Sequence, residues 1–209
     1  MICLELWYNS VLVLLAGYMK NATVAISTFS ICLNIATWAL MFGLGFLVCA
    51  SIRVSNELGR GNKNAAKFAI KVIFATATSF GVIFAILCLI FSYQMASLFS
   101  ENEEVDKSVS ELSILLVISV FLNTVQPVLT GVAIGAGRQS IVAFVNIGCY
   151  YLVGVPIGAL LGYVADLQVK GLWIGLICGV ISQLLSLIYI TWKTDWDEQV
   201  TIASERLNK

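Results

Sequence analysis

The sequence predicts an all-α integral membrane protein, a bundle of six transmembrane helices, and three observations carry that reading. Of 209 residues, 59% are hydrophobic and 11% charged, with a mean hydropathy of +0.93, which is too apolar for a water-soluble fold. Six apolar runs recur along the chain, each near the ~20 residues that a helix needs to cross ~30 Å of hydrocarbon. When the runs are made to alternate across a bilayer, the cations segregate. Arg53, Arg60, Lys63, Lys67, Lys71, Arg138, Lys193, Arg206 and Lys209 fall on one side and Lys20, Lys107 and Lys170 on the other, nine against three. Short loops rich in Lys and Arg stay in the cytoplasm, so the basic side and the C-terminus are expected there.

The elements follow in order. The first run, 3–19, is barely long enough to span and lacks the basic region that would open a secretory signal. The second, 29–50, leads into SIRVSNELGRGNKNAAKFAIK at 51–71, the longest polar interruption between hydrophobic runs. There Val54, Leu58, Ala65, Phe68 and Ala69 alternate with charges, and Gly59 and Gly61 break the middle. That pattern predicts a helix end, a turn and an interfacial segment lying on the membrane surface. The third run, 70–93, ends at an acidic loop holding Glu101, Glu103, Glu104 and Asp106 beside Lys107. The fourth spans 108–136, with its apolar part from Leu112, and closes at GAGRQS. The fifth covers 141–163 and the sixth 172–192. Residues 193–209 read as a cytoplasmic tail, solvated and weakly helical. No Lys or Arg is expected inside a helix.

Chemistry has few candidates in this composition. There is no histidine, and the six cysteines show no metal-ligand spacing, so they are expected to pack as small buried hydrophobes. No phosphate-cradling loop and no nucleophile with a base is found, which argues against an enzyme and against a cofactor or metal. A net charge of zero gives no reason to expect nucleic acid. Eleven of the twelve acids lie in loops, tails or helix ends, leaving Glu5 as the one carboxylate within an apolar segment. Carboxylates at membrane depth face a partner or a wet cavity and commonly serve as proton or cation sites. On a helix Glu5, Tyr8, Asn9 and Leu12 share a face, so a phenol and an amide could share its proton; the alternative is a Glu5 that snorkels to the interface. In the fourth helix Ser119, Asn123, Gln126, Pro127 and Thr130 follow helical spacing, and Pro127 frees a carbonyl one turn back. Such a broken, polar-faced helix suits a substrate path or else glues helices together. Asn34, Thr37 and Trp38 in the second helix, and Asn146 with Tyr150 in the fifth, are weaker cases of the same pattern. Pro156 kinks the fifth helix. Gly131 and Gly135, then Gly154, Gly158 and Gly162, then Gly171, Gly175 and Gly179 recur every four residues and predict close helix packing.

At these residues a resemblance appears. The stretches LELWYNSVLVLLAGYM, ASIRVSNELGRGNKNAAK, LNTVQPVLTGVAIGAGRQ, VNIGCYYLVGVPIG and ITWKTDWDEQV, in this order, closely resemble the second half of plant multidrug and toxic compound extrusion (MATE) transporters. The resemblance implies one six-helix lobe of a twelve-helix antiporter, whose lobes are related by a pseudo-two-fold axis. It implies export of organic solutes and xenobiotics in exchange for protons, with sodium the less favoured ion, in the plasma or vacuolar membrane. Carried over, Glu5 becomes the acid thought to bind the coupling proton, with Tyr8 and Asn9 beside it. Asn34, Trp38, Asn123, Gln126, Pro127, Asn146 and Tyr150 become lining of the lobe's cavity. The expected partners are the lipid bilayer, a small organic solute, and either a missing N-terminal lobe or a second copy of the chain. Met1 falls where the family's seventh helix begins, so a truncated sequence is expected, and a non-transporting remnant or a homodimer stays open beside the antiporter half.

Overall fold

A chain that crosses hydrocarbon must satisfy its backbone internally, and this one does so with helices. The computed structural model describes residues 2–19, 21–91, 94, 97, 99 and 102–207. Among the described residues the order is α1 (Ile2–Ala16), α2 (Ala22–Gly59), α3 (Lys63–Ile90), α4 (Glu103–Glu111), α5 (Ser113–Gly135), α6 (Gln139–Val164), α7 (Gln168–Lys193) and α8 (Trp196–Leu207). Five of them, α2, α3, α5, α6 and α7, are long and apolar enough to cross a membrane, and α1 is a shorter apolar helix. Tyr93, Lys20, Glu101 and Lys209 of the sequence reading, and the Arg206 side chain, lie outside the described residues.

The basic stretch departs from expectation. It is two helix ends joined by a tight turn, not a segment lying on the membrane. α2 runs on for 38 residues through Arg53 and Glu57, and α3 restarts at Lys63, where the Asn62 side chain accepts from the Ala65 N–H at 3.0 Å. Gly61 takes φ +77° in the turn, a conformation open to glycine at little cost. Arg53, Lys63, Lys67, Lys71, Lys170 and Lys193 therefore all sit in helices, against the expectation that none would. The physical reason is that Lys, Arg, Glu and Ala are strong helix formers, so a helix need not stop where the apolar run stops. Buried Glu57 reinforces the end of α2 by pairing with Arg53 at 3.2 Å and Arg60 at 3.5 Å.

The fourth predicted helix is divided at Leu112 into α4 and α5. Val105, Val109, Leu112 and Leu116 form one buried stripe across the break, so the division lets amphipathic α4 turn its apolar face inward. α5 is continuous through Pro127; the expected break is absent. The carbonyl that Pro127 leaves free, that of Asn123, lies against Gly43 of α2, and a methyl group at Gly43 would also come within 2.9 Å of the proline ring. α6 contains π-type turns at Ile147–Gly154 and Leu160–Val164 on either side of Pro156, the widened geometry that absorbs a missing helical donor.

The glycine spacing serves packing. Gly131 and Gly135 lie on the backbone of Leu47 and Ser51 in α2, and Gly171 and Gly175 on that of Gly162 and Gly158 in α6. A methyl group at Gly175 would also come within 2.8 Å of the Gly154 carbonyl oxygen. Lipid tails offer no less apolar an environment than leucine, so close van der Waals approach of this kind is what holds such helices together. The outer surface is correspondingly apolar, with Met41, Ile83, Leu185 and Trp192 exposed. For the same reason the cysteines divide: Cys32, Cys88 and Cys149 are buried and Cys178 partly so, but Cys3 and Cys49 are exposed, because an apolar run in a membrane protein has a lipid face as well as a core face.

The tail is docked, contrary to the expected loose end. Trp196 of α8 is buried with Val54, Leu58 and Ala66 of the α2 and α3 ends. Lys63 pairs with Asp197 at 2.6 Å, and Arg138 donates to Thr194 at 3.0 Å.

Candidate functional site

Two connected features converge on α1. A cavity of about 510 Å³ is walled by α1, α2, α5, α6 and α7, with Leu40, Leu44, Pro127 and Ile134 apolar and Gln126, Thr130, Asn146 and Gln183 polar; among the described residues Glu5 is its one charged lining residue. Beside it a pocket of about 20 Å³, large enough for one water, is lined by Glu5, Tyr8, Asn9, Thr37, Asn123 and Tyr150. Glu5 belongs to both. Its side chain stands where a small polar niche meets a larger apolar-walled space.

α1 places these groups by helical repeat. Tyr8 and Leu12 turn inward and are buried, while Glu5 and Asn9 are partly exposed toward the cavity. The Tyr8 ring stacks on Tyr150 with centroids 4.8 Å apart and planes within 6°, meets Tyr151 edge-on at 6.3 Å, and donates its hydroxyl to the Gly175 carbonyl at 3.3 Å. Gly154 and Gly179 leave the room this ring occupies: a methyl group at Gly154 would lie 3.0 Å from its Cζ. Two further tyrosines hold α1 to α6, as Tyr151 donates to the Leu4 carbonyl at 3.1 Å and Tyr163 to that of Leu15.

The polar floor is a chain of hydrogen bonds. Glu5 and Tyr150 line the same pocket of about 20 Å³. Tyr150 donates to Gln183 Oε1, and Gln183 Nε2 donates to Asn146 Oδ1 at 2.6 Å. In α5 the Gln126 amide donates to the Thr130 hydroxyl at 3.1 Å, and that of Asn123 to the Ala36 carbonyl at 3.4 Å. The face predicted to join Glu5, Tyr8 and Asn9 is thus assembled, and α5 and α6 bring Asn123, Gln126, Pro127, Asn146 and Tyr150 to the same place.

Three expectations fall elsewhere. Asn34 and Trp38 are exposed on another face of α2: Asn34 donates to the Ser30 carbonyl at 3.0 Å, and Trp38 tilts against Phe99 at 5.9 Å. The packed stripe of α2 runs through Cys32, Ile35, Ala36 and Ala39, which turns Thr37 and Leu40 toward the site instead. Ser119 accepts from the buried Trp173 indole at 2.9 Å and is interhelical glue. Sequence reasoning missed Gln183, which is fully buried; as the one carboxamide in the apolar run 172–192 it carried a visible signal.

Long apolar helices around a cavity floored by neutral polar groups and one carboxyl define a multi-pass integral membrane protein. The MatE family model matches residues 1–160, and the chain belongs to that family. It is similar to Protein DETOXIFICATION 24 of Arabidopsis thaliana, 53% identical over 99% of this chain and 41% of that protein. It is also similar to Protein DETOXIFICATION 21 of the same plant, 51% identical over 100% and 42%. The crystal structure of the eukaryotic MATE transporter AtDTX14 superposes with a TM-score of 0.94 at 35% identity, covering 98% of this chain and 46% of that one. The chain spans about two fifths of the length of the relatives it matches.

Proposed function

We propose that the chain is one lobe of an antiporter that exports small organic solutes in exchange for protons, with Glu5 as the exchanging carboxyl. The observation that carries this is the position of Glu5, the single charged group among the described residues that line the 510 Å³ cavity, and a member of the small polar niche beside it. A carboxyl that is neutral when protonated and charged when not changes the hydrogen bonds it can make, and a group shared by niche and cavity passes that change to the solute-facing wall. Mostly apolar walls with a few amides suit amphipathic organic molecules over inorganic ions. The partner that completes the cavity is either a second lobe or another copy of the chain, since alternating access moves one lobe against another. The α2–α3 turn and α8 lie on the cytoplasmic side by their charge, in the plasma membrane or the vacuolar membrane.

The test is transport in proteoliposomes, with the chain alone and joined to the part of Protein DETOXIFICATION 24 that it does not cover. A proton gradient should drive efflux of an organic cation dye from the joined protein, and Glu5→Gln should cut that flux at least about tenfold, as expected for loss of an essential proton site. Gradient-driven flux of undiminished size in Glu5→Gln would rule out this carboxyl as the exchanging group.

A further inference from the structure

Tyr150 has one hydroxyl proton and two acceptors near it. It donates to Gln183 Oε1, and Glu5 faces it across the pocket of about 20 Å³ that both residues line. Gln183 cannot turn to offer a donor in return, because its Nε2 is committed to Asn146 Oδ1 at 2.6 Å and the residue is fully buried. Competition for a single proton follows from this arrangement.

We propose that Gln183 is a positioning residue that competes with Glu5 for the Tyr150 hydroxyl, so that the protonation state of Glu5 decides whether the Tyr150–Gln183 bond, one of the ties between α6 and α7, is made. The inference rests on the reading of Glu5 as the exchanging carboxyl. With Glu5 protonated, its O–H donates to the Tyr150 oxygen, Tyr150 donates to Gln183, and Gln183 donates to Asn146. Each group then has one acceptor for its proton, and all bonds point the same way. With Glu5 ionised, the carboxylate only accepts, and bonds to a charged acceptor are stronger than neutral ones. The Tyr150 hydroxyl rotates toward Glu5 and Gln183 Oε1 loses its donor inside the protein, where an unpaired polar group is costly. The remedy is movement of Gln183 and Asn146, both of which line the large cavity. The only proton gained or lost is the one on Glu5; the phenol turns and stays protonated.

The surroundings support this assignment. Among the described residues the titratable groups near Glu5 and Tyr150 are Cys3 and Tyr8 on α1, Cys149 and Tyr151 on α6, and Cys178 on α7. α2 and α5 present only neutral side chains, and among the described residues no Lys or Arg lines either space. Tyr150 also lies in the π-type turns Ile147–Gly154, backbone that recurs at functional sites.

The experiment is an infrared titration of the carboxyl C=O signal, with the full chain in lipid nanodiscs. The signal should vanish in Glu5→Gln. Gln183→Met, which keeps the side-chain length and removes both hydrogen bonds, should move the midpoint downward by about one pH unit, a tenfold loss of proton affinity, because Tyr150 is then free to serve the carboxylate. The same substitution in a Tyr150→Phe background should move nothing, and Gln183→Leu serves the same comparison if Gln183→Met does not insert. An unmoved midpoint, or an equal shift in the Tyr150→Phe background, overturns the competition while leaving Glu5 as the titrating group. A signal that persists in Glu5→Gln overturns the reading of Glu5 itself, and the competition with it.

Discussion

At the scale of residues, tyrosine rings and hydroxyls hold the walls of the site together. Tyr8 makes one long hydrogen bond and two ring contacts from a buried position, so its ring should outweigh its hydroxyl. Tyr8→Phe should cost about 1 kcal/mol and Tyr8→Ala about 3–5 kcal/mol, read as thermal or denaturant unfolding in detergent. Outside the membrane, Glu111 receives a hydrogen bond and the charge of Lys170 at 2.8 Å, with Lys107 adding to it, and its carboxyl is held below the usual carboxylate range. The folded state then binds fewer protons at this site than the unfolded one. The stabilisation is present above the ordinary carboxylate value and disappears as pH falls through the lower folded value. Lys170→Met should flatten the dependence of the melting temperature on pH below the ordinary carboxylate value, by a small amount because the pair is exposed. Glu5 could be found in the sequence because one carboxylate in an apolar run is anomalous. Asn34 and Trp38 were misplaced because a polar group within a run shows depth, whereas the face it takes depends on which stripe of small residues packs, here Cys32, Ala36 and Ala39.

At the scale of elements, much of the hold of α1 on the bundle comes from Tyr8, Tyr151 and Tyr163. Removing the last two hydroxyls together, in Tyr151→Phe/Tyr163→Phe, should lower the opening free energy of α1 by about 2 kcal/mol, each bond contributing about 1. Amide hydrogen exchange should then accelerate some thirtyfold in α1 while α5 stays unchanged; equal acceleration in both would mean that α1 is not a separate unit. Element type was legible nearly everywhere from apolar runs. The boundaries were not, since α2 and α3 continue into charged residues with high helix propensity, and α4 breaks from α5 at Leu112 for the sake of a buried stripe that involves contacts distant in sequence.

At the scale of the whole molecule, the ends of α2, α3 and α5 and the helix α8 form one basic-rimmed face, joined by the Lys63–Asp197 and Arg138–Thr194 contacts. Single cysteines at Asn62 and Thr201, introduced after replacing the native six, should therefore be labelled by an impermeant maleimide from the same side, and charge makes that side the cytoplasm. Labelling from opposite sides would contradict the docked position of α8. The sequence showed this face as a cation bias but not as a docked surface, because Trp196 is buried in a cluster with Val54, Leu58 and Ala66, more than a hundred residues away. One consequence concerns α2. Its 38 unbroken residues reach about 57 Å, nearly twice the ~30 Å of hydrocarbon, so one rod carries Thr37 at the niche and Val54 and Leu58 at the far face. A rod of this length would turn a small tilt at the niche into a larger sweep at its far tip. A fluorophore beside Gly61 would then report from water, at a distance, what happens around Glu5.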